Sequence, residues 1–191
     1  MSLKPSTELN QTKDAIAFAQ EDMRNAYGNG AIGALVSGTI WVVASAIGNY
    51  SSAMYGMWAL FFGGMLIQPL SMAMLKLLGF RGNHDKSNPL GKLALEGTVF
   101  MLLCIPLAFL LAKQDENLFF LAMMLIIGGR YLTFNTIYGL KTYWLFGGVL
   151  ALTAFLLFYI GIGPASVAMT GGIIEILFGS YLYYSISKNH Y

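Results

Sequence analysis

The chain has 191 residues, of which 57% are hydrophobic and only 10% charged, with a mean hydropathy of +0.62. A soluble domain carries about 25% charged residues, and a core of this size has no room for the surplus apolar surface; lipid is the solvent that accepts it. A formal net charge of +2 excludes the strongly basic footprint of a nucleic-acid binder.

The first 25 residues are polar and include Glu8, Asp14, Glu21 and Asp22, with no apolar stretch of the kind that opens a secretory signal. Within them, residues 6–27 read as an amphipathic helix: Ala15, Ile16, Ala19, Met23, Ala26 and Tyr27 recur on one face. It is either an interfacial lead-in to the first span or a gate or partner-docking helix. Residues 1–29 thus form a cytoplasmic N-terminal segment, 30–185 a transmembrane domain and 186–191 a cytoplasmic tail.

A bilayer core about 30 Å thick needs about 20 mostly apolar residues per helix. Six windows qualify: 30–48, 54–78, 91–112, 117–138, 143–160 and 165–185. Between them lie a turn at 48–52, a long polar loop at 80–92, the charged "KQDEN" at 113–117, a break marked by Gly139 and Lys141, and "GIGP" at 161–164. Pro164 stands where a first helical residue tolerates proline. The expected fold is an all-α integral membrane protein, a six-helix bundle.

Positive charge tests that count. With six spans, Lys4, Lys13, Arg24, Lys76, Arg81, Lys86, Lys92, Lys141 and Lys188 share one side, against Lys113 alone on the other. Both termini are therefore expected in the cytoplasm. Tyr50, Tyr55 and Trp58 at one end, and Tyr138, Tyr143, Trp144, Tyr183 and Tyr184 at the other, fit the aromatic belts of a membrane interface.

Helices in lipid associate through close contact at small residues. Gly30, Ala34 and Gly38 fall on one face of the first span, which suits tight packing inside the bundle or a homodimer face. "WALFFGG" at 58–64 and "WLFGG" at 144–148 open the second and fifth spans, and a glutamate follows in the third (Glu96) and sixth (Glu175). Two three-span halves facing opposite ways would be the inverted-repeat plan of many secondary transporters.

Polar residues at depth carry the functional argument: Arg130, Glu175, Glu96, Asn135 and Gln68, the last beside the helix-interrupting Pro69. At ~1.5 Å per residue, Arg130 lies about 16 Å and Glu175 about 20 Å from their nearest flanking lysines, near the midplane. Asn135, at about 9 Å, and Glu96, at about 6 Å, lie closer to the cytoplasm. An arginine at a helix centre costs at least ~2.5–3.5 kcal/mol on the insertion scale and cannot escape by losing its proton. Matched depth makes Glu175 its expected partner, with Glu96 as the second carboxylate. That arrangement is a structural ion pair, a cytoplasm-facing polar cavity for a small anionic or polar solute or for protons, or a catalytic site.

Other chemistry has no motif behind it. His84 and His190 lack metal-ligand spacing, and the lone Cys104 permits no internal disulfide. "GNHDKSNPLGK" has the wrong spacing for a phosphate loop. No nucleophile constellation points to an enzyme, and no cofactor or metal is expected. Three ionisable residues in spans that need none lead to a transporter-like or solute-binding module, with the bilayer as its partner. The competing class is a non-transporting interaction, regulatory or assembly subunit.

"NPLGKL" at 88–93, Pro106 and "GGRYLTFNTIYG" at 128–139 resemble a group of small bacterial polytopic membrane proteins, the domain-of-unknown-function family 7010. The resemblance covers roughly residues 60–145 and implies a bacterial inner-membrane protein, with no activity to carry over. In the family pattern a histidine takes the place of Arg130 and a Pro-Tyr pair that of Thr133-Phe134. A titratable group there is thus replaced by a permanent charge here.

Overall fold

The computed structural model describes residues 5–189, with side chains over 11–188. The described residues form seven α-helices: α1 (Pro5–Tyr27), α2 (Ala31–Tyr50), α3 (Ala53–Leu77), α4 (Pro89–Ala112), α5 (Glu116–Tyr138), α6 (Thr142–Ile160) and α7 (Pro164–Asn189). Among the described residues, six helical segments are long and apolar enough to cross a membrane, the first lying within Gln11–Tyr50. The bundle's perimeter is covered with exposed Leu, Phe, Ile and Trp side chains, far beyond the patch a soluble monomer leaves wet. The chain is an all-helical bundle consistent with a multi-pass membrane protein.

Helix ends follow local chemistry. Asn88 caps α4 by accepting from the Leu90 N–H at 3.0 Å, with Pro89 as the first helical residue, so this helix begins earlier than its apolar run. Asp115 caps α5 in the same way, accepting from Asn117 N–H at 2.9 Å. Gly139 and Gly161 end α5 and α6 in the left-handed conformation. α7 continues to Asn189, beyond the expected limit of its span; His190 lies outside the described residues.

α2 packs most extensively on α7 and next on α3, while α5 packs most extensively on α6 and then on α4. Glycines set the closest of these approaches. A Cβ at Gly38 would fall 2.8 Å from the Gly172 carbonyl, and one at Gly128 would fall 3.0 Å from the Gly147 carbonyl. Ala34 is 1% exposed, and Gly30 precedes α2 as its cap at φ 80°. The Gly30/Ala34/Gly38 stripe is therefore used inside the chain, Gly38 against α7 and Gly30 against Tyr138 and Tyr143.

α1 lies across one end of the bundle. Its Gln20 donates to the Thr136 carbonyl at 2.8 Å and its Arg24 to the Tyr138 carbonyl at 2.7 Å. Asp22 pairs with Arg81 and accepts from the Asp85 N–H and from Asn88. α1, the 78–88 loop and the α5–α6 turn thus share one end. The opposite end is tied by Ser45 donating to the Ala165 carbonyl and Asn117 donating to the Ile162 carbonyl.

Candidate functional site

Arg130 sits in the C-terminal half of α5, followed by Tyr131 and, one turn on, Phe134. Its guanidinium turns toward α4, where Nη2 donates to Thr98 Oγ1 at 3.1 Å and Nη1 lies 3.6 Å from the Met101 sulfur. On its own helix, its Cζ stands 5.3 Å from the centre of the Phe134 ring. Its Nε is enclosed and has no hydrogen-bond partner. Thr98 itself donates to the Ala94 carbonyl, so its oxygen is free to accept from the arginine.

Glu175 does not pair with this cation. The Arg81–Asp22 contact is the only ion pair among the described residues, although the Arg130 charge is felt at Glu175 from a longer distance. Glu175 is 1% exposed and stands where α7 meets α2 and α5. The Tyr131 hydroxyl donates to its Oε1 at 3.1 Å, and the Ser37 hydroxyl of α2 faces the same carboxyl group. Its Oε2 is enclosed without a partner, as is the Trp41 indole nitrogen one turn along α2 from Ser37.

An aromatic layer closes this carboxyl group off toward the α1 end. The Tyr131 ring lies 4.2 Å from that of Phe146, which stacks on Phe178 at 3.8 Å. Tyr143, stacked on Tyr131 at 6.0 Å and on Tyr138 at 5.6 Å, donates to the Asn29 carbonyl. Asn29 takes φ 53° between two glycines of positive φ, and that turn brings its carbonyl to Tyr143.

The remaining depth candidates lie elsewhere. Glu96 is exposed, on the α4 face that also carries exposed Phe100, Leu103 and Leu107, opposite to the Thr98 and Met101 face. Gln68 is exposed on α3. Asn135, with its amide oriented by its surroundings, donates to the Leu140 carbonyl at 3.2 Å and accepts from Trp144 Nε1 at 3.1 Å. It fastens the α5–α6 turn. Beyond these, an apolar cleft of about 470 Å³ opens between α3 and α4, lined by Trp58, Phe61 and Met65 on one side and by Leu102, Ile105, Pro106 and Phe109 on the other. Thr98 and Met101 continue the α4 stripe of Leu102, Ile105 and Phe109 at helical spacing.

Tyr131, Ser37, Thr98 and Met101 are the partners that depth counting does not reveal. A lone hydroxyl or thioether in an apolar run has no spacing signal; only Tyr131 is adjacent to a residue, Arg130, that its depth singles out. No group of three or more His, Cys, Asp or Glu that could hold a metal occurs among the described residues.

The family of unknown function DUF7010 matches the chain over residues 16–185. The chain belongs to this family. The DUF7010 match extends well beyond residues 60–145, from the middle of α1 through Arg130 and Glu175 into α7. Comparison with curated proteins and with solved structures finds no match.

Proposed function

We propose that this chain is a small transporter-like or solute-binding membrane protein that holds an anionic group at Arg130, in a polar belt crossing α4, α5 and α7. One observation carries the reading: the arginine has no carboxylate partner among the described residues. A threonine hydroxyl, a sulfur and an aromatic face are weak neighbours for a full charge. A cation–π contact contributes about 0.5–2 kcal/mol, whereas the charge costs at least ~2.5–3.5 kcal/mol to insert. An anionic solute would complete the coordination that the chain leaves unfinished, with the planar fork giving it orientation.

The packing pattern supports a two-half architecture. The first helix of each half packs on the second helix of its own half and on the third of the other: α2 on α3 and α7, α5 on α6 and α4. Halves of three helices face opposite ways across a bilayer, as in inverted-repeat transporters. The Lys and Arg excess assigns the α1 end to the cytoplasm, in the plasma (inner) membrane.

Thermal unfolding of the purified chain in detergent, with phosphate and small carboxylates added, tests the anion reading. A ligand that binds only the folded state at 100 times its Kd stabilises it by about 2.7 kcal/mol. The expected result is a concentration-dependent rise in Tm for at least one anion, absent in Arg130→Gln. An equal rise in Arg130→Gln, or none in either protein, contradicts it.

A second reading, a non-transporting interaction or regulatory subunit, is favoured by α1, whose Phe18 is 75% exposed. Phe18→Ser then removes a co-purifying partner while leaving any anion response unchanged. A partner still retained by Phe18→Ser counts against that reading.

A further inference from the structure

Glu175 is enclosed on every side by helices that offer it no cation in contact. α5 contributes Tyr131, whose hydroxyl donates to Oε1 at 3.1 Å, and the more distant charge of Arg130. α2 contributes the Ser37 hydroxyl, 5% exposed. α6 contributes Tyr143 and Phe146, both packed on the Tyr131 ring. No lysine, histidine or second carboxylate reaches the group among the described residues, and Oε2 has no partner at all.

A carboxylate stripped of water needs a contacting cation or several donors; lacking them, it takes up a proton and becomes neutral. One tyrosine and one serine hydroxyl do not replace a hydration shell. The Arg130 charge favours the anion, but its own hydrogen bonds point away, to α4. We propose that Glu175 is a proton-binding site, loaded with H⁺ in this arrangement of the helices.

The proton sits on Oε2, the oxygen that receives no hydrogen bond, while Oε1 keeps the Tyr131 hydroxyl. Release breaks the Oε2–H bond and passes H⁺ to water, leaving a carboxylate whose bond from Tyr131 becomes charge-assisted. Water reaches the group only when α5 separates from the α2–α7 pair, because those three helices form its walls. Proton exchange at Glu175 is thereby tied to relative movement of helices drawn from both three-helix halves. The inference stands apart from the anion reading, since it requires nothing to be bound at Arg130.

Infrared spectroscopy of the full chain in lipid nanodiscs at neutral pH tests it, in H₂O and in D₂O. The expected spectrum has a carboxylic-acid C=O band that shifts down in D₂O, is missing in Glu175→Gln and moves up in Tyr131→Phe as the bond to Oε1 is lost. Should Glu175→Gln fail to fold, the Tyr131→Phe shift alone decides. Absence of the band in the unaltered chain, its persistence in Glu175→Gln, or an unmoved band in Tyr131→Phe overturns the proposal. None of these readouts depends on whether an anion stabilises the protein.

Discussion

The Tyr131 hydroxyl donates to Glu175 Oε1 at 3.1 Å, so the most deeply enclosed carboxyl group of the bundle is held by an uncharged partner. The neighbouring Arg130, turned about 100° around the same helix, addresses Thr98 and Met101 on α4 instead. α5 therefore separates the two ionisable groups. Tyr131→Phe leaves Oε1 without its donor and is expected to cost about 1–3 kcal/mol, read as a lower Tm in detergent.

Arg130→Met tests the opposite expectation. Breaking a buried ion pair by removing one partner costs about 3–5 kcal/mol. Here the arginine has no ion-pair partner among the described residues, and its removal relieves an insertion cost of at least ~2.5 kcal/mol. Equilibrium unfolding of Arg130→Met is expected to show unchanged or higher stability, together with loss of any anion response.

Helix boundaries were legible because a span must be long and apolar, and each of the six windows lies within a few residues of the corresponding helix. Residues 6–27 likewise match α1. The partners of the buried charges were not legible, for a physical reason. Counting residues gives depth along a helix axis, but a contact also needs the rotation of each helix about that axis. Arg130 and Glu175 share a depth along their helices, yet Arg130 faces α4. Glu96, expected as the second carboxylate, stands on the outward face with Phe100 and Leu103. Asn135 is close to Arg130 along α5 but bonds to the following turn.

The α1 latch gives a pH prediction. Burial alone raises the Asp22 pKa, but Asn88, the Asp85 N–H and Arg81 together outweigh it and hold the carboxyl below its ordinary value of 3.8. A depressed folded-state pKa means the contribution is complete above 3.8 and is lost as the pH falls through the folded value. The pair with exposed Arg81 contributes little; the bonds from Asn88 and the Asp85 N–H, at 2.8 and 2.9 Å, matter more. The protection of α1 amides, corrected for the intrinsic pH dependence of exchange, should therefore stay constant from neutral pH to about pH 5 and fall only in stronger acid. Asp22→Asn should loosen α1 throughout, by about 1–3 kcal/mol.

Gly38 tests the main packing seam. A Cβ there would lie 2.8 Å from the Gly172 carbonyl and 2.9 Å from the Ile176 nitrogen, both backbone atoms of α7. Gly38→Ala is expected to force α2 and α7 apart and to cost about 1–3 kcal/mol, seen as a lower Tm. Gly33→Ala, where a Cβ meets nothing within 4 Å, serves as the control and should be neutral or slightly stabilising.

The division of the two ionisable groups by α5 is tested most directly by a double-mutant cycle on equilibrium unfolding with Arg130→Gln, Glu175→Gln and the double variant. Separate sites with a neutral Glu175 predict effects that add within about 0.5 kcal/mol. A coupling energy approaching ~3 kcal/mol, at the upper end for residues in direct contact, would show an Arg130–Glu175 ion pair and contradict the account.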